Sequence, residues 1–425
     1  MRIARGAAAM VLGGALAIGA AVTGTPGTAA AAPPGRAPGV VSWNPVLDGG
    51  DAVGVEVSAD GVRLAADRAT AADATLRPDG HGDVRSPGLL TLPARRLTTP
   101  AGRVEATVDV VGGGASSAVA VDVRGLAASG VWSEWVPAEP TSRGSASASR
   151  RTVQVVLPDP ATQVQARLVL TPVRTRSWGA ARGPEVRGLS LTAYPTSPSA
   201  RSQARKDPQR YRVFATREGL VGGTTANGHK VTPRDIFVAL PSRRALSPRN
   251  TGDYSVKVCA SNGRCAFAPV WDVGPWNTRD DYWNPSNRRQ SWGDLPRGVP
   301  EAQAAKNQGY NRGKDQFGRV VKNPAGIDLA DGLFWDGLGL RDNAYVTVDY
   351  LWTGDSPMAT VRVKGRADLR NAPKNGARVV GLAANGAAVP VQCVSGAWLR
   401  VAANQFLPAS SAPKAQWSGR LPACG

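Results

Sequence analysis

The chain has 425 residues, with 51 Lys and Arg against 32 Asp and Glu, and its formal net charge is +19. At roughly 100–200 residues per domain, this length predicts two to four domains. With only two histidines, His81 and His229, the sequence excludes a zinc site built on clustered histidines, and a Ser-His-Asp triad would depend on one of two imidazoles. The 49 Gly and 33 Pro favour short strands and many turns over helical bundles.

The N-terminus has the pattern of a secretory signal. Arg2 and Arg5 precede an apolar run over residues 7–22, and small residues follow up to Ala32. No later segment reaches the roughly 18 apolar residues that a spanning helix needs. We therefore predict a signal peptide at 1–32 and a protein that is secreted, extracellular or cell-wall associated, without integral membrane association.

Export makes the four cysteines informative, because disulfides form in oxidising compartments. A three-residue hairpin loop at 261–263, with Gly263 left-handed, would set Cys259 opposite Cys265, whereas a two-residue loop would set Cys259 opposite Ala266. Four free thiols are the alternative. The predicted bridges are Cys259–Cys265 and Cys393–Cys424.

Residues 40–195 alternate apolar and polar side chains, as in Val104–Val110, Val119–Val123 and Val164–Leu170. Gly, Ser and Pro clusters between the runs predict a β-sandwich or jelly roll. Within it, Trp132 and Trp135 flank Glu134, a pattern that fits either a sugar-stacking face or, more commonly, a core. A polar segment at 196–209 is predicted to be a linker.

Residues 210–353 contain five predicted strands and two groups of motifs. The strands are Tyr211–Thr216, Ile236–Leu240, Tyr254–Ala260, Phe267–Val273 and Tyr345–Trp352. The motifs are Thr225-Ala226-Asn227-Gly228, Val238-Ala239-Leu240-Pro241, Asp272-Val273-Gly274-Pro275 and Ile327-Asp328-Leu329.

In this order the motifs resemble the double-psi β-barrel of the rare lipoprotein A-like (RlpA-like) family, with expansins as more distant relatives. The resemblance implies a six-stranded barrel with a groove for glycan strands. In enzymatic members it also implies lytic transglycosylase activity on peptidoglycan. Those members carry a His shortly before the Leu-Pro pair, where this chain has Ile236-Phe237-Val238-Ala239, so catalysis is left open.

Asp272 is the candidate catalytic residue, because a carboxylic acid with a raised pKa can protonate the leaving oxygen of a glycosidic bond. An equally weighted alternative is that Asp272 caps the turn that follows it. The residues predicted to contact the glycan are Thr225, Asn227, His229, Trp271, Trp276 and Trp283. Asp280 and Asp281 read as a solvated acidic pair, and neither a metal nor a cofactor is predicted.

Residues 358–425 resemble a bacterial Src-homology-3-like domain, through Ala359–Val363, Ala367–Pro373 and Trp398–Val401 among other runs. The resemblance implies attachment to wall peptides. From Asp355 onward, nine basic residues oppose two acidic ones, a balance of +7. The predicted partner is therefore peptidoglycan or an anionic wall polymer, and the signal peptide argues against nucleic acid.

Taken together, these patterns predict an all-β, multidomain, monomeric protein: a sandwich, a double-psi barrel and a small Src-homology-3-like barrel. Two functions stay open. One is binding of peptidoglycan or a related glycan in an expansin-like barrel groove without catalysis, slightly favoured by the missing His. The other is a lytic transglycosylase that uses Asp272 as general acid/base.

Overall fold

A computed structural model describes residues 39–65, 87–111, 118–141, 149–171, 184–196, 206–414, 417 and 421–424. The predicted signal peptide and most of the predicted linker lie outside these residues. From Gly39 onward the chain forms one compact unit. Within the described ranges, no helix has both the length and the apolar character needed to cross a membrane.

The first part of the chain is an antiparallel β domain over one apolar core. Its strands are β1 (Val41–Trp43), β2 (Asp51–Val53), β3 (Val55–Ser58), β4 (Gly61–Leu64), β5 (Gly88–Thr91), β6 (Arg95–Val111), β7 (Val119–Ala127), β8 (Val136–Pro137), β9 (Glu139–Pro140), β10 (Arg150–Leu170) and β11 (Glu185–Pro195). The long strand β10 pairs with β6 through its first half and with β5 and β7 through its second half. The register shifts between Val156 and Ala161, where Pro158 and Pro160 lack the N–H that a regular ladder needs.

The second part is a closed barrel of six strands. These are β12 (Gln209–Arg217), β13 (Val238–Leu240), β14 (Ser255–Cys259), β15 (Cys265–Val273), β16 (Ala325–Leu329) and β17 (Ala344–Tyr350). The order β13-β16-β12-β17-β14-β15 closes through a β13–β15 pair, and the pairs β12–β16 and β13–β15 are parallel. The strand β16, which was not among the five predicted strands, carries the Ile327-Asp328-Leu329 motif. An ordered insertion between β15 and β16 contains the helix α1 (Glu301–Gln308).

The hairpin between β14 and β15 has the predicted geometry. Cys259 lies opposite Cys265, Ala260 and Arg264 close the loop with an N–H···O bond of 2.9 Å, and Gly263 has φ +83°. The predicted Cys259–Cys265 bridge is confirmed, as is Cys393–Cys424.

The third part is a small β domain that is continuous with the barrel. Its strands are β18 (Met358–Thr360), β19 (Arg366–Arg370), β20 (Val379–Ala384), β21 (Ala388–Pro390), β22 (Cys393–Ser395), β23 (Trp398–Ala402) and β24 (Gln405–Pro408). β20 pairs in parallel with β15, and Gly381 lies so close to the Cys265 carbonyl that a Cβ at 381 would be 1.7 Å from its oxygen. The predicted all-β, multidomain fold class is confirmed.

The sandwich joins the barrel through the segment 131–135. Trp135 is buried in the barrel core, and its Nε1 donates to the Leu246 carbonyl at 3.1 Å. Glu134 is buried beside it and accepts N–H bonds from Trp283 at 2.5 Å, Trp352 at 2.9 Å and Asn284 at 2.7 Å. The core interpretation of Trp135 is therefore correct, and Glu134 is a structural anion.

We expect Glu134→Ala to lower the free energy of unfolding by about 3 kcal/mol or more, because hydrogen bonds to a charged group contribute roughly 1.5–3 kcal/mol each. Thermal or denaturant unfolding followed by Trp fluorescence measures the change. Glu139→Ala is the control, since Glu139 is exposed and surface substitutions usually stay within about 0.5 kcal/mol. Equal stability of the two variants would contradict a structural role for Glu134.

Candidate functional site

Two carboxylates of the predicted motifs meet at one end of the barrel. In the strand register, Ala239 of β13 lies opposite Asp272 of β15 on one side and Asp328 of β16 on the other. Directly opposed residues on neighbouring strands point to the same face. The small Ala239 side chain leaves room between the two carboxylates, and Thr216 of β12, opposite Asp328, donates its hydroxyl to that carboxylate.

Asp272 is partly exposed, and its Oδ1 accepts two backbone N–H groups. Ala226 donates at 2.7 Å and Val273 at 2.8 Å. Asp272 therefore caps the turn that follows it, as one of its two predicted roles required. Hydrogen bonds from N–H groups stabilise negative charge on a carboxylate.

The neighbour of Asp272 is Glu218, directly after β12, which is only 4% exposed. Among the described residues, no N–H or hydroxyl group donates to either Glu218 carboxyl oxygen. Burial raises the pKa of Glu218 well above its usual range, and the charge of Asp272, a hydrogen bond with Asp272 and the charges of Asp328 and Asp331 raise it further. A hydrogen bond between two carboxyl groups requires a proton on one of them, and these effects favour the protonated form of Glu218.

The rings of His229 and Trp271 lie together, and Trp271 directly precedes Asp272 in β15. The two rings are 4.6 Å apart between centroids, and Phe237 stacks on Trp271 at 5.9 Å. His229 Nε2 lies 2.8 Å from Asp235 Oδ2. Burial alone would raise the pKa of Asp235, but hydrogen bonds from His229 and Thr232 lower it overall. Both predicted contacts, His229 and Trp271, are partly exposed, and the Trp271 indole N–H donates to the Thr251 carbonyl at 2.8 Å.

Thr225 and Asn227 shape the loop that carries Ala226. Both are buried, the Thr225 hydroxyl donates to the Asn227 amide oxygen at 2.7 Å, and the Asn227 amide donates to the Ser247 carbonyl at 3.2 Å. The His229 backbone N–H donates to both side chains, at 3.1 and 3.2 Å. The hydrogen bonds of Thr225 and Asn227 therefore stabilise the loop that caps Asp272.

Trp276 and Trp283, predicted to stack on sugar, lie in the core instead. Trp276 is 4% exposed, packs against Ala302 and Val321, and donates its indole N–H to Asn323 at 2.9 Å. Trp283 is 0% exposed and donates to Glu134. The polar insertion hides both rings because it folds into an ordered layer whose buried carboxylates are held in ion pairs.

Those ion pairs involve the acidic pair that the sequence analysis took to be solvated. Asp280 and Asp281 are fully buried; Arg289 reaches Asp280 at 2.5 Å and Arg244 reaches Asp281 at 2.7 Å. Burial raises the pKa of Asp280 to about 6 despite the nearby guanidinium. Within the described ranges, no group of three or more His, Cys, Asp or Glu side chains has the arrangement of a metal site.

Sequence reasoning missed Glu218 and did not assign a role to Asp328. Glu218 directly follows β12, and Asp328 is the last residue but one of β16. The two strands are parallel, and Thr216 pairs with Asp328. A charged residue at the end of a buried apolar run was the available signal.

The sequence also did not point to Trp335, which is 38% exposed. The guanidiniums of Arg217 and Arg234 lie 4.9 and 4.6 Å from its ring centroid.

The shared proton predicts how stability depends on pH. In the unfolded chain Glu218 titrates near 4.5, whereas in the folded protein it keeps its proton to higher pH. The folded state therefore binds more protons between the two pKa values. The free energy of unfolding should fall as pH rises above about 4.5, relative to Glu218→Gln, by at most about 1.4 kcal/mol per pH unit. Denaturant unfolding between pH 4 and 8 measures the difference, with Glu139→Gln as the exposed control. A constant difference between wild type and Glu218→Gln across that range would show that Glu218 titrates normally.

Residues 209–349 match the family model of a domain of unknown function (DUF8814). The match begins at the first residue of β12 and ends one residue before the end of β17, so it covers the barrel, its insertion and the residues of this site. No curated protein matches the chain.

Proposed function

We propose that this end of the barrel binds a cell-wall glycan strand and that Glu218 and Asp272 act on it as an acid/base pair, in a secreted bacterial protein related to the rare lipoprotein A-like family. One observation carries the proposal: a buried carboxyl group, whose pKa burial and the neighbouring carboxylates raise well above its usual range, lies beside a partly exposed carboxylate. Pairs of carboxyl groups whose surroundings push their pKa values apart are how enzymes obtain an acid and a base together.

The chemistry of a lytic transglycosylase fits such a pair. The glycosidic bond breaks when its oxygen receives a proton, and a hydroxyl of the same sugar closes on the anomeric carbon and gives up its proton. One proton is donated and one is recovered, so a single proton shared by Glu218 and Asp272 balances the reaction. Asp272, which is partly exposed, faces the ligand. Glu218, which is buried, holds the proton between reaction steps.

The same surroundings supply contacts for a sugar chain. Trp271, the residue before Asp272 on β15, forms a partly exposed aromatic surface with His229. Trp335, near Arg217 and Arg234, adds an exposed ring on the turn after β16. Aromatic faces with a few convergent polar groups are typical of small-ligand sites.

A second candidate is glycan binding without catalysis. It is favoured by the segment 236–239, where the enzymatic members of the resembled family carry a His. All four side chains here are buried and apolar, so no second titratable group reaches the site from β13. In that case Asp272 would bind sugar hydroxyls. Protonation of Glu218 would only keep a second negative charge out of the buried part of the site.

Asp272→Asn and Glu218→Gln separate the candidates. If the protein is an enzyme, we expect release of anhydro-sugar products from purified peptidoglycan to fall by roughly two to four orders of magnitude in each variant, the usual range for losing a general acid or base. Mass spectrometry of the soluble products measures the release. If the protein only binds, the wild type releases no such product, and Asp272→Asn weakens glycan binding by about 1 kcal/mol per lost hydrogen bond.

The matched control is Asp342→Asn, because Asp342 is an exposed barrel residue that also caps a backbone N–H, that of Asn343. It should leave both product release and binding unchanged. A folded Asp272→Asn variant that equals the wild type in both measurements would refute the proposal, and Asp272 would then be only a structural cap.

Attachment to the wall is assigned to the C-terminal domain. Four of its exposed cations, Arg362, Lys364, Lys374 and Arg378, make no ion pair within the described part of the chain. An anionic wall polymer would bind them through charges that salt screens.

The full chain should therefore sediment with purified cell walls at low salt and be released as salt rises, because the Debye length falls from about 10 Å at 0.1 M to about 3 Å at 1 M. Replacing the four cations by Gln should release it at lower salt. The control replaces four exposed cations elsewhere, Arg95, Arg96, Lys306 and Lys322. Identical salt profiles for the two quadruple variants would show that the C-terminal domain is not the attachment surface.

A further inference from the structure

A second cleft lies on the insertion between β15 and β16, away from the residues of the Glu218–Asp272 pair. We call it the Trp292 cleft. It has a volume of about 610 Å³ and is open to solvent, and its walls include Trp292, Asn311, Arg312, Lys314, Asp315 and Gln316. This volume is within the range of roughly 300–1,000 Å³ that small-ligand sites occupy.

The backbone of the cleft is strained. Seven non-glycine residues in the described ranges have positive φ, and three of them line this cleft: Trp292 at +55°, Asn311 at +49° and Arg312 at +60°. Residues other than Gly, Asn and Asp rarely adopt this backbone conformation. Residues that are held in it cluster at active sites and ligand-binding sites. Two of these residues thus bring a bulky ring and a guanidinium to the wall of the same cleft.

The cleft carries an excess of positive charge. Arg312 and Lys314 are exposed and form no ion pair among the described residues. The one carboxylate of the wall, Asp315, is buried and already bound by the Arg319 guanidinium and by the backbone N–H groups of Phe317 and Arg319. Two cations are therefore left to face a ligand.

Trp292 differs from its neighbours in the insertion. Trp276 and Trp283 are buried and donate their indole N–H groups, whereas Trp292 is partly exposed and has no indole hydrogen bond or ring partner among the described residues. Gln316 anchors the wall, because its side chain both accepts from the Thr278 N–H at 2.9 Å and donates to the Thr278 hydroxyl at 2.7 Å. The cleft thus presents a free aromatic ring on a fixed frame.

We propose that the Trp292 cleft is a second binding site, and that its ligand is an anionic saccharide whose ring packs on Trp292 and whose carboxylate or phosphate binds Arg312 and Lys314. An aromatic face accepts the apolar side of a sugar ring, and guanidinium and ammonium groups bind carboxylate or phosphate through charge-assisted hydrogen bonds. The site is independent of the chemistry proposed for Glu218 and Asp272.

Calorimetric titration of the full chain with three probes tests the proposal: trigalacturonate, which carries carboxylates, mannose 6-phosphate, which carries a phosphate, and the neutral cellotriose. We expect at least one anionic probe to bind about tenfold or more tightly than cellotriose, the order expected for one charge-assisted hydrogen bond. The tighter anionic probe identifies the acidic group. Equal affinity for all three probes, or no binding of either anionic probe, would overturn the proposal.

Variants assign that binding to the cleft. Arg312→Gly removes a cation while placing glycine at a left-handed position that suits it, so the fold should be kept. We expect this variant and Lys314→Ala each to weaken anionic binding by about tenfold. Asn250→Gly relieves a left-handed residue outside the cleft, at φ +61°, and Lys322→Ala removes an exposed cation, so both should bind as the wild type does.

Asp272→Asn should also bind the anionic probe normally, which separates this site from the proposed acid/base pair. If Asp272→Asn abolishes the binding while Arg312→Gly and Lys314→Ala leave it unchanged, the probe occupies the barrel site and the inference about the Trp292 cleft is wrong.

Discussion

The buried carboxylate of Glu134 is the interaction on which the arrangement of the first two domains depends. Removing a carboxylate from water costs several kcal/mol, which only well-placed partners recover. Here the partners are the indole N–H groups of Trp283 and Trp352 and the amide of Asn284, all from the barrel or its insertion. The sandwich cannot satisfy this charge by itself, and the segment that carries Glu134 also places Trp135 in the core of the barrel.

The same junction supports the proposed site. Val53 and Leu89 of the sandwich pack with Leu246, and Ala226 and Val273 lie against this group. Ala226 and Val273 are the two residues whose N–H groups hold Asp272. The N-terminal domain therefore braces the loop that orients the exposed carboxylate, which gives a physical role to a region whose sequence carries no motif of its own.

The features that could be predicted from the sequence are those with a short-range cause. Period-two alternation gave the strands, and the requirement for a left-handed glycine in a three-residue loop gave the Cys259–Cys265 register. Glu218 could not be found in this way, because its pKa is raised first by burial inside the folded barrel and then by carboxylates 54 and more positions further along the chain. Trp276 and Trp283 were misassigned for a related reason: a polar sequence can still bury its aromatic rings when its charges form ion pairs in the folded protein.

The Glu134 contacts also bear on how the chain reaches its folded state. The three donors lie 149, 150 and 218 residues further along the chain. Contacts between residues so distant in sequence form late and slow folding. Because synthesis begins at the N-terminus, the sandwich is made before its partners in the barrel. Glu134 then lacks its donors, and Trp135 stays exposed, until residue 352 has been synthesised. The protein is therefore expected to fold as a whole after synthesis is nearly complete, and to be most prone to aggregation in the interval before the barrel closes.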